Sequence, residues 1–279
     1  MRFEKITESV GVVVEDVDLK TLDDDGVKTL YKRFVNAGVM CIRNQTLDPD
    51  AFVMFARRLG APIEQIYGQF NIPDRPEIGL LTSEDTDSSG SGQRKIRGTS
   101  WHTDASYFEN PPKATMLFAE VVPASGGDTE FLSTSAAYAA LPRGLKNRIN
   151  KAQGVHNYQS SRSPRQLIAR SASQVERFPE GTLHPLARRN PDNGRYAIYL
   201  NPIRIESVDG LARDESDALL DELLDFCQSP RFYYRHSWHS GDVVIWDNRS
   251  ILHQANDDYD WGTEKRRLMR IMLAGERPV

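Results

Sequence analysis

Several features are scarce in this 279-residue chain, and each scarcity excludes a class of protein. The only cysteines, Cys41 and Cys227, stand in apolar surroundings and indicate two buried free thiols in a reducing compartment, not a disulfide framework. No stretch approaches about 18 consecutive apolar residues, so we expect no membrane span. The first residues mix charges and lack an apolar core, so we expect no signal peptide and a cytoplasmic location.

An excess of positive charge is also missing. Lys plus Arg total 35 and Asp plus Glu total 39, which gives a net charge of −4. This balance argues against nucleic-acid binding. The composition, 39% hydrophobic and 27% charged, is typical of a globular protein with a substantial core. Because no internal repeat or linker interrupts the chain, we predict one domain over residues 1–279.

Short apolar segments separated by turns dominate the chain and predict a mainly β fold. Apolar residues at helical spacing predict flanking helices at 23–37, 49–59 and about 214–228. One or two strands are expected within residues 6–19, and further strands at 39–42, 78–81, 114–122, 243–246 and 266–274. Residues 83–100 are predicted to form a lid-like loop, with a disordered surface excursion as the alternative. Residues from about 143 to 195 are predicted to be an insertion. Many short strands with helices outside indicate a β-sandwich or barrel.

The run Trp101-His102-Thr103-Asp104 is the first candidate for chemistry. If it is extended, His102 and Asp104 lie on one face. One more imidazole would complete a set of two histidines and one carboxylate, which leaves several positions of an iron(II) ion open. The pair alone is a weak signal, because a polar pair on a strand is a common structural feature.

Five other histidines could supply the third ligand: His156, His184, His236, His239 and His253. His253 follows a predicted strand and a turn, so the chain can return it to the mouth of a barrel. His236 and His239 stand in an aromatic, strand-like run and are more typical of structural histidines. His184, between Leu183 and Pro185, also suits a core or a turn.

The last predicted strand carries several arginines. Alternation places Arg266 and Arg270 on one face and Arg267 on the other. Two arginines on an otherwise apolar face would be costly if buried without an anion. The distal carboxylate of a 2-oxoacid that chelates iron would supply that anion and suits the planar guanidinium. An edge strand with solvated arginines is the alternative.

Four motifs occur in a specific order along the chain. They are Trp101-His102-Thr103-Asp104, Gly126-Gly127-Asp128-Thr129, Trp246-Asp247-Asn248-Arg249 with His253, and Arg266 to Arg270 followed by Gly275. Together they resemble the TauD/TfdA (taurine dioxygenase-like) family of Fe(II)- and 2-oxoglutarate-dependent dioxygenases, over nearly the whole chain. The resemblance implies a double-stranded β-helix, or jelly roll, and a homo-oligomer.

The resemblance also implies roles for individual residues. Iron(II) would be held by His102, Asp104 and His253. The co-substrate 2-oxoglutarate would be held by Thr129 and Arg266, with Arg270 facing the substrate or the co-substrate. The stretch from His253 to Arg266 is slightly longer than in the family, so Arg267 is a rival to Arg266.

The implied reaction consumes molecular oxygen, hydroxylates a C–H bond and releases succinate and CO2. Asp104 favours hydroxylation over halogenation, since related halogenases lack this carboxylate. The substrate pocket is expected to draw on Gln65, Tyr67, Arg162, Arg204 and Arg270. These arginines predict a small anionic substrate, such as a carboxylate or phosphonate, and argue against taurine itself. A sulfonate dioxygenase that releases sulfite, a protein hydroxylase and a non-catalytic jelly-roll binding protein are the alternatives.

Overall fold

The computed structural model describes residues 1–66, 68–85, 97–164 and 166–279. Its helices are α1 (Asp24–Ala37), α2 (Pro49–Leu59), α3 (Thr134–Ala140), α4 (Arg143–Ile149), α5 (Ala172–Arg177) and α6 (Arg213–Cys227). Its strands are β1 (Arg2–Lys5), β2 (Val12–Glu15), β3 (Val39–Ile42), β4 (Pro62–Ile63), β5 (Asn71–Ile72), β6 (Arg75–Thr82), β7 (Ala114–Val121), β8 (Thr129–Ser133), β9 (Gln153–His156), β10 (Thr182–Pro185), β11 (Ala187–Arg189), β12 (Tyr196–Ile198), β13 (Ile205–Val208), β14 (Tyr233–His236), β15 (Val243–Asp247), β16 (Ile251–Ala255) and β17 (Arg267–Leu273).

Two sheets form the body of the fold. The larger is nine-stranded, in the order β1-β2-β3-β15-β7-β17-β6-β5, with β4 paired to β17. Within it β2 and β3 are parallel, whereas β15, β7 and β17 are antiparallel neighbours. The smaller sheet has the order β14-β8-β16. Its side chains pack against the inner face of the larger sheet, and the predicted jelly roll is confirmed.

Alternating side chains divide the larger sheet into two faces. Met40 and Met269 lie on the outer face, where they join the apolar sides of α1 and α2. Cys41 and Leu268 lie on the inner face, where they meet Phe131 of the smaller sheet. Full burial of side chains of this size contributes about 1.5–3 kcal/mol each. The inner face is the one from which functional side chains can project into the sandwich.

The first two helices begin and end where their sequences predict. The side chain of Asp23 accepts a hydrogen bond from the Gly26 amide at 2.7 Å and so caps α1. Gly38, with φ of +75°, ends that helix. Pro49 opens α2, and Gly60 follows its last residue. The predictions of helices at 23–37 and 49–59 are therefore confirmed.

The structure adds detail to two further segments. Residues 6–19 hold β2, in agreement with the strand expected there, and a turn joins it to β1, which lies nearer the N-terminus. Residues 143–195 contain α4, β9, α5, β10 and β11, and contribute Leu145, Ile149 and Leu186 to a core shared with α6. Within the described ranges, no helix is both long and apolar enough to cross a bilayer. Both cysteines are buried and unpaired, as predicted.

Candidate metal centre

Two histidines from distant parts of the chain meet inside the sandwich. His253 lies in β16, with its imidazole beside the ring of Trp246 at a centroid distance of 4.5 Å. The backbone N–H groups of His102 and His253 each donate to the other residue's carbonyl, at 3.0 and 2.8 Å. This isolated bridge brings the two imidazole centroids to 4.1 Å. Nδ1 of His102 lies 2.7 Å from the Ser100 carbonyl, which can only accept, so Nε2 keeps its lone pair for a metal.

Asp104 reaches these histidines from a turn, so the extended geometry predicted for its run is wrong. Only His102 of the run pairs with a strand, and residues 104–107 turn back. Ala105 has φ of +44°, a conformation that costs about 1–2 kcal/mol for a residue with a Cβ. The hydroxyl of Thr103 donates to the Asn248 carbonyl at 2.7 Å and anchors the turn.

A chain of hydrogen bonds orients the Asp104 carboxylate. Thr115 in β7 donates to Asp104 Oδ2 at 2.6 Å and accepts from the Asn248 side-chain amide at 2.9 Å. The amide oxygen of Asn248 accepts from the indole N–H of Trp246 at 3.1 Å. Because the Asn248 amide donates to Thr115, the hydroxyl hydrogen points at Asp104. Partners of this kind set the direction in which a carboxylate meets a metal.

The three side chains form a compact ligand set. One ligand atom from each of His102, Asp104 and His253 lies within 4.8 Å of the others, and Nε2 of His253 is 3.8 Å from Asp104 Oδ2. Burial lowers the pKa of His253 to about 4, so its imidazole is neutral at pH 7. Burial alone would raise the pKa of Asp104, but the two histidines and Arg270 bring it to about 2. Neutral imidazoles and an ionised carboxylate are the protonation states that metal binding requires.

In a second cluster within the described residues, three possible ligand atoms lie as close together as a metal site requires. The cluster consists of Cys41, His236 and Asp242, all buried. Asp242 Oδ2 accepts from Arg43 at 2.5 Å and lies 3.2 Å from Nε2 of His236. Burial, together with the charge of Asp242, raises the pKa of the Cys41 thiol far above its ordinary value. Because the carboxylate is already paired and the thiol stays protonated, we assign this cluster to the structure of the core.

The two arginines that compete for the co-substrate have opposite surroundings. Arg266 is only 5% exposed, and within the described parts of the chain its Nε has no hydrogen-bond partner. Burial lowers its pKa to about 10, against the opposing effect of Tyr259 and two nearby carboxylates. Arg267 is exposed and pairs with Glu120 at 2.8 Å. Within the described residues Arg266 therefore lacks the paired anion that Arg267 has, and a buried guanidinium without such an anion is costly.

Arg270 connects the ligand set to Gln65. Its NH1 lies 3.8 Å from Asp104 Oδ1, and its NH2 donates to Gln65 Oε1 at 2.8 Å. The amide of Gln65 donates to the Glu77 carbonyl at 3.0 Å, which fixes its oxygen towards Arg270. The structure therefore brings these two predicted substrate residues together beside the carboxylate ligand.

Arg162 does not offer the free cation that was expected of it. Its two terminal nitrogens bind Asp217 and Asp221, both on α6. These carboxylates already balance the charge of Arg162.

Two further predictions concern loop residues. The guanidinium of Arg204 lies over the rings of Tyr107 and Tyr158, at 4.8 and 4.6 Å. It also donates to the Tyr158 carbonyl, so its contacts are made with the protein interior. Tyr67 and residues 86–96 of the predicted lid lie outside the described residues.

Sequence reasoning missed the residues that hold the ligands in place. Thr115 had a usable signal, because it is a polar residue inside an apolar strand and is fully buried. Asn248 stands in a motif that the resemblance includes, but no role was assigned to it. Trp238, whose indole N–H donates to Thr129 Oγ1 at 3.0 Å, had no local signal.

Comparisons with known proteins agree with this geometry. The family model described as "Taurine catabolism dioxygenase TauD, TfdA family" matches residues 2–272. The (S)-phenoxypropionate/alpha-ketoglutarate-dioxygenase of Sphingobium herbicidovorans is 34% identical over 95% of this chain and 92% of that protein. The alpha-ketoglutarate-dependent sulfate ester dioxygenase of Pseudomonas putida is 32% identical over 97% and 88%. The crystal structure of a taurine dioxygenase from Burkholderia xenovorans superposes with a TM-score of 0.82 at 27% identity, covering 100% of this chain and 92% of that one.

Proposed function

The chain belongs to the TauD/TfdA dioxygenase family, and on that premise we propose that His102, Asp104 and His253 bind iron(II) and that Thr129 and Arg266 bind 2-oxoglutarate. The protein is a 2-oxoglutarate-dependent dioxygenase, and the reaction proposed for it is hydroxylation of a C–H bond in a small organic anion. The convergence of three ligand atoms within 4.8 Å is the observation that carries the proposal.

The chain's own residues prepare this site for a metal. When bound at these residues, iron(II) would supply the site at which O2, the oxidant, is activated, and 2-oxoglutarate would supply two electrons and leave as succinate and CO2. Two histidines and one carboxylate leave several metal positions open for co-substrate and oxygen. Thr115 and Ser100 fix the directions of Asp104 and His102 before any ligand arrives.

The positions of Arg270 and Gln65 favour the proposal that the substrate is an anion. Arg270 is half-buried beside Asp104 Oδ1, and Gln65 gives it only a neutral partner. A substrate anion would therefore meet a cation close to the metal ligands. The phenoxypropionate and sulfate ester dioxygenases named above act on compounds that carry a negative charge. We propose that Arg270 binds the anionic group of the substrate and that Gln65 holds the guanidinium in place.

A heteroatom-cleaving outcome is the second candidate. Hydroxylation of a carbon bonded to an ether or ester oxygen gives a hemiacetal, which breaks down and releases the oxygen-linked group. The similarity to a sulfate ester dioxygenase favours this outcome over hydroxylation of an unactivated carbon. A sulfonate substrate would release sulfite in the same manner.

Anaerobic addition of iron(II) and 2-oxoglutarate tests the proposed function. The wild-type protein is expected to develop a weak visible charge-transfer band, which His102→Ala should abolish. His239→Ala is the matched control, since His239 is exposed and outside the ligand set. If no band forms in the wild type, a non-catalytic jelly-roll binding protein becomes the better description.

Succinate release then identifies the substrate class. The panel comprises sulfonates, sulfate esters, phosphonates, aryloxyacids, amino acids and neutral amines. Organic acids should stimulate release above the uncoupled rate, and faster release with neutral amines would overturn the role proposed for Arg270. A homo-oligomer and a cytoplasmic location stay predictions.

A further inference from the structure

Tyr259 is a buried tyrosine whose hydroxyl has no hydrogen-bond partner within the described residues. It is 8% exposed. Burying a hydroxyl without a partner costs about 1–3 kcal/mol, so an unmet hydroxyl of this kind needs an explanation. Tyr259 follows β16 and is not one of the three metal ligands.

The Gly126-Gly127 turn allows Tyr259 to approach β8 closely. Gly127 has φ of +66°, and a Cβ on it would stand 3.2 Å from Cδ1 of the Tyr259 ring. The Gly127 amide donates to the Asp258 carboxylate at 3.0 Å. Arg235 binds Asp128 and Asp258 at 2.6 Å each, which fastens the two segments together. Tyr259 is therefore held against the residues that lead into Thr129.

Tyr259 also lies within electrostatic reach of Arg266. Burial raises the pKa of the Tyr259 phenol, and the charge of Arg266 acts against that rise. The phenol therefore keeps its proton at neutral pH. In the described structure neither the Tyr259 hydroxyl nor Nε of Arg266 has a partner. Two buried donors without acceptors in one region indicate a missing anion.

Trp238 prepares Thr129 as a further donor. Its indole N–H, which can only donate, binds Thr129 Oγ1 at 3.0 Å. The hydroxyl oxygen is thereby occupied as an acceptor, and its hydrogen is free to point elsewhere. Trp238 is itself held edge-on against the ring of His236, with centroids 4.6 Å apart at 90°.

We propose that the Tyr259 hydroxyl donates a hydrogen bond to the distal carboxylate of 2-oxoglutarate, in a seat that it shares with Arg266 and Thr129. Trp238 is a positioning residue of this seat, because it directs the Thr129 hydroxyl. A carboxylate has about four lone-pair sites, which match the two-pronged guanidinium and two hydroxyls. The inference rests on the proposed function, since it takes 2-oxoglutarate as the co-substrate.

Anaerobic titration of the iron(II)-loaded Tyr259→Phe protein tests this seat. The ligands are 2-oxoglutarate and 2-oxobutyrate, which keeps the chelating group but lacks the distal carboxylate. From the charge-transfer band, the affinity for 2-oxoglutarate should fall about tenfold or more, as for lost hydrogen bonds to charged groups. The affinity for 2-oxobutyrate should stay the same. Trp238→Phe should also lower the affinity for 2-oxoglutarate and leave that for 2-oxobutyrate unchanged. Its effect on 2-oxoglutarate should be smaller than that of Tyr259→Phe.

Folding is checked by thermal melting without ligand. Tyr259→Phe removes a hydroxyl that has no hydrogen-bond partner among the described residues, so the melting temperature of this variant should equal or exceed that of the wild type. Tyr196→Phe, at an exposed tyrosine, is the matched control and should bind both ligands normally.

The possible failures are distinguishable. A wild-type protein that does not bind 2-oxoglutarate overturns the proposed function. If the wild type binds 2-oxoglutarate and the Tyr259→Phe variant binds it with equal affinity, only the role proposed for Tyr259 is overturned. Equal losses for 2-oxoglutarate and 2-oxobutyrate, or a lowered melting temperature, would assign Tyr259 a structural role and also overturn it.

Discussion

Replacing Arg266 with methionine should move stability and co-substrate binding in opposite directions. The pKa of Arg266 is lowered from 12.5 to about 10, which corresponds to about 3 kcal/mol against the charged form. Arg266→Met removes that penalty while filling most of the same volume. The ligand-free protein should therefore gain about 1–3 kcal/mol of unfolding free energy. For a chain of this size, each kcal/mol raises the melting temperature by roughly 2–4 °C.

The same substitution should greatly lower the affinity of the protein for 2-oxoglutarate. Truncating one partner of a buried, hydrogen-bonded charge pair costs about 2–5 kcal/mol, or roughly 30-fold to 5,000-fold in affinity. Thermal melting of the ligand-free protein and anaerobic titration with 2-oxoglutarate measure the two effects separately. Arg267→Met is the matched control, because Arg267 is exposed and pairs only at the surface with Glu120. Such a pair contributes about 0–1 kcal/mol, so the control should change neither quantity much.

The diagnostic result for Arg266→Met is a gain in unfolding free energy together with a loss of affinity for 2-oxoglutarate. A destabilised Arg266→Met protein would mean that the guanidinium is satisfied in the fold and needs no anion. Unchanged affinity for 2-oxoglutarate would place the co-substrate elsewhere. If Arg267→Met loses the affinity instead, the neighbouring arginine holds the co-substrate and the interpretation of the buried charge is wrong.

Two further variants test the supports of the site. Thr115→Val should lower iron(II) affinity about 10–100-fold, measured by anaerobic metal titration, because Asp104 loses the hydrogen bond that orients it; unchanged affinity would refute that role. His184 is buried, and burial lowers its pKa to about 4 from 6.5. The unfolded chain therefore takes up a proton between pH 6.5 and about 4 that the folded chain refuses, and stability should fall as pH falls through this window, by up to about 1.4 kcal/mol per pH unit. His184→Gln should flatten this slope in thermal melts, and an unchanged slope would count against the assignment.

Local patterns predicted the elements that depend on local interactions. Asp23 and Gly38 bound α1 because capping is decided within a few residues. Alternation placed Arg266 and Arg270 on the inner face, since the period of a strand is a property of its own backbone. His253 was the favoured third ligand for the same reason: a strand and a turn return it to the sandwich.

The errors arose where a distant contact decides the geometry. Asp104 was expected on a strand, but Thr103 and Asn248 anchor a turn there through residues 145 positions apart. Arg162 was expected as a free cation, but Asp217 and Asp221 reach it from α6. Neither partner can be recognised from the residues that surround the arginine in the sequence, because only the tertiary fold brings them together.

Unmatched charge separates functional from structural polar groups inside this sandwich. Two buried arrangements among the described residues can be compared. In one, the charge of Asp242 is already balanced by the guanidinium of Arg43, so an added ion could gain little there. In the other, Arg266 and Tyr259 have donors without acceptors in the part of the chain that is described. Since leaving such groups unmet lowers stability, their presence is best explained by an anion that binds the folded protein and offsets the penalty.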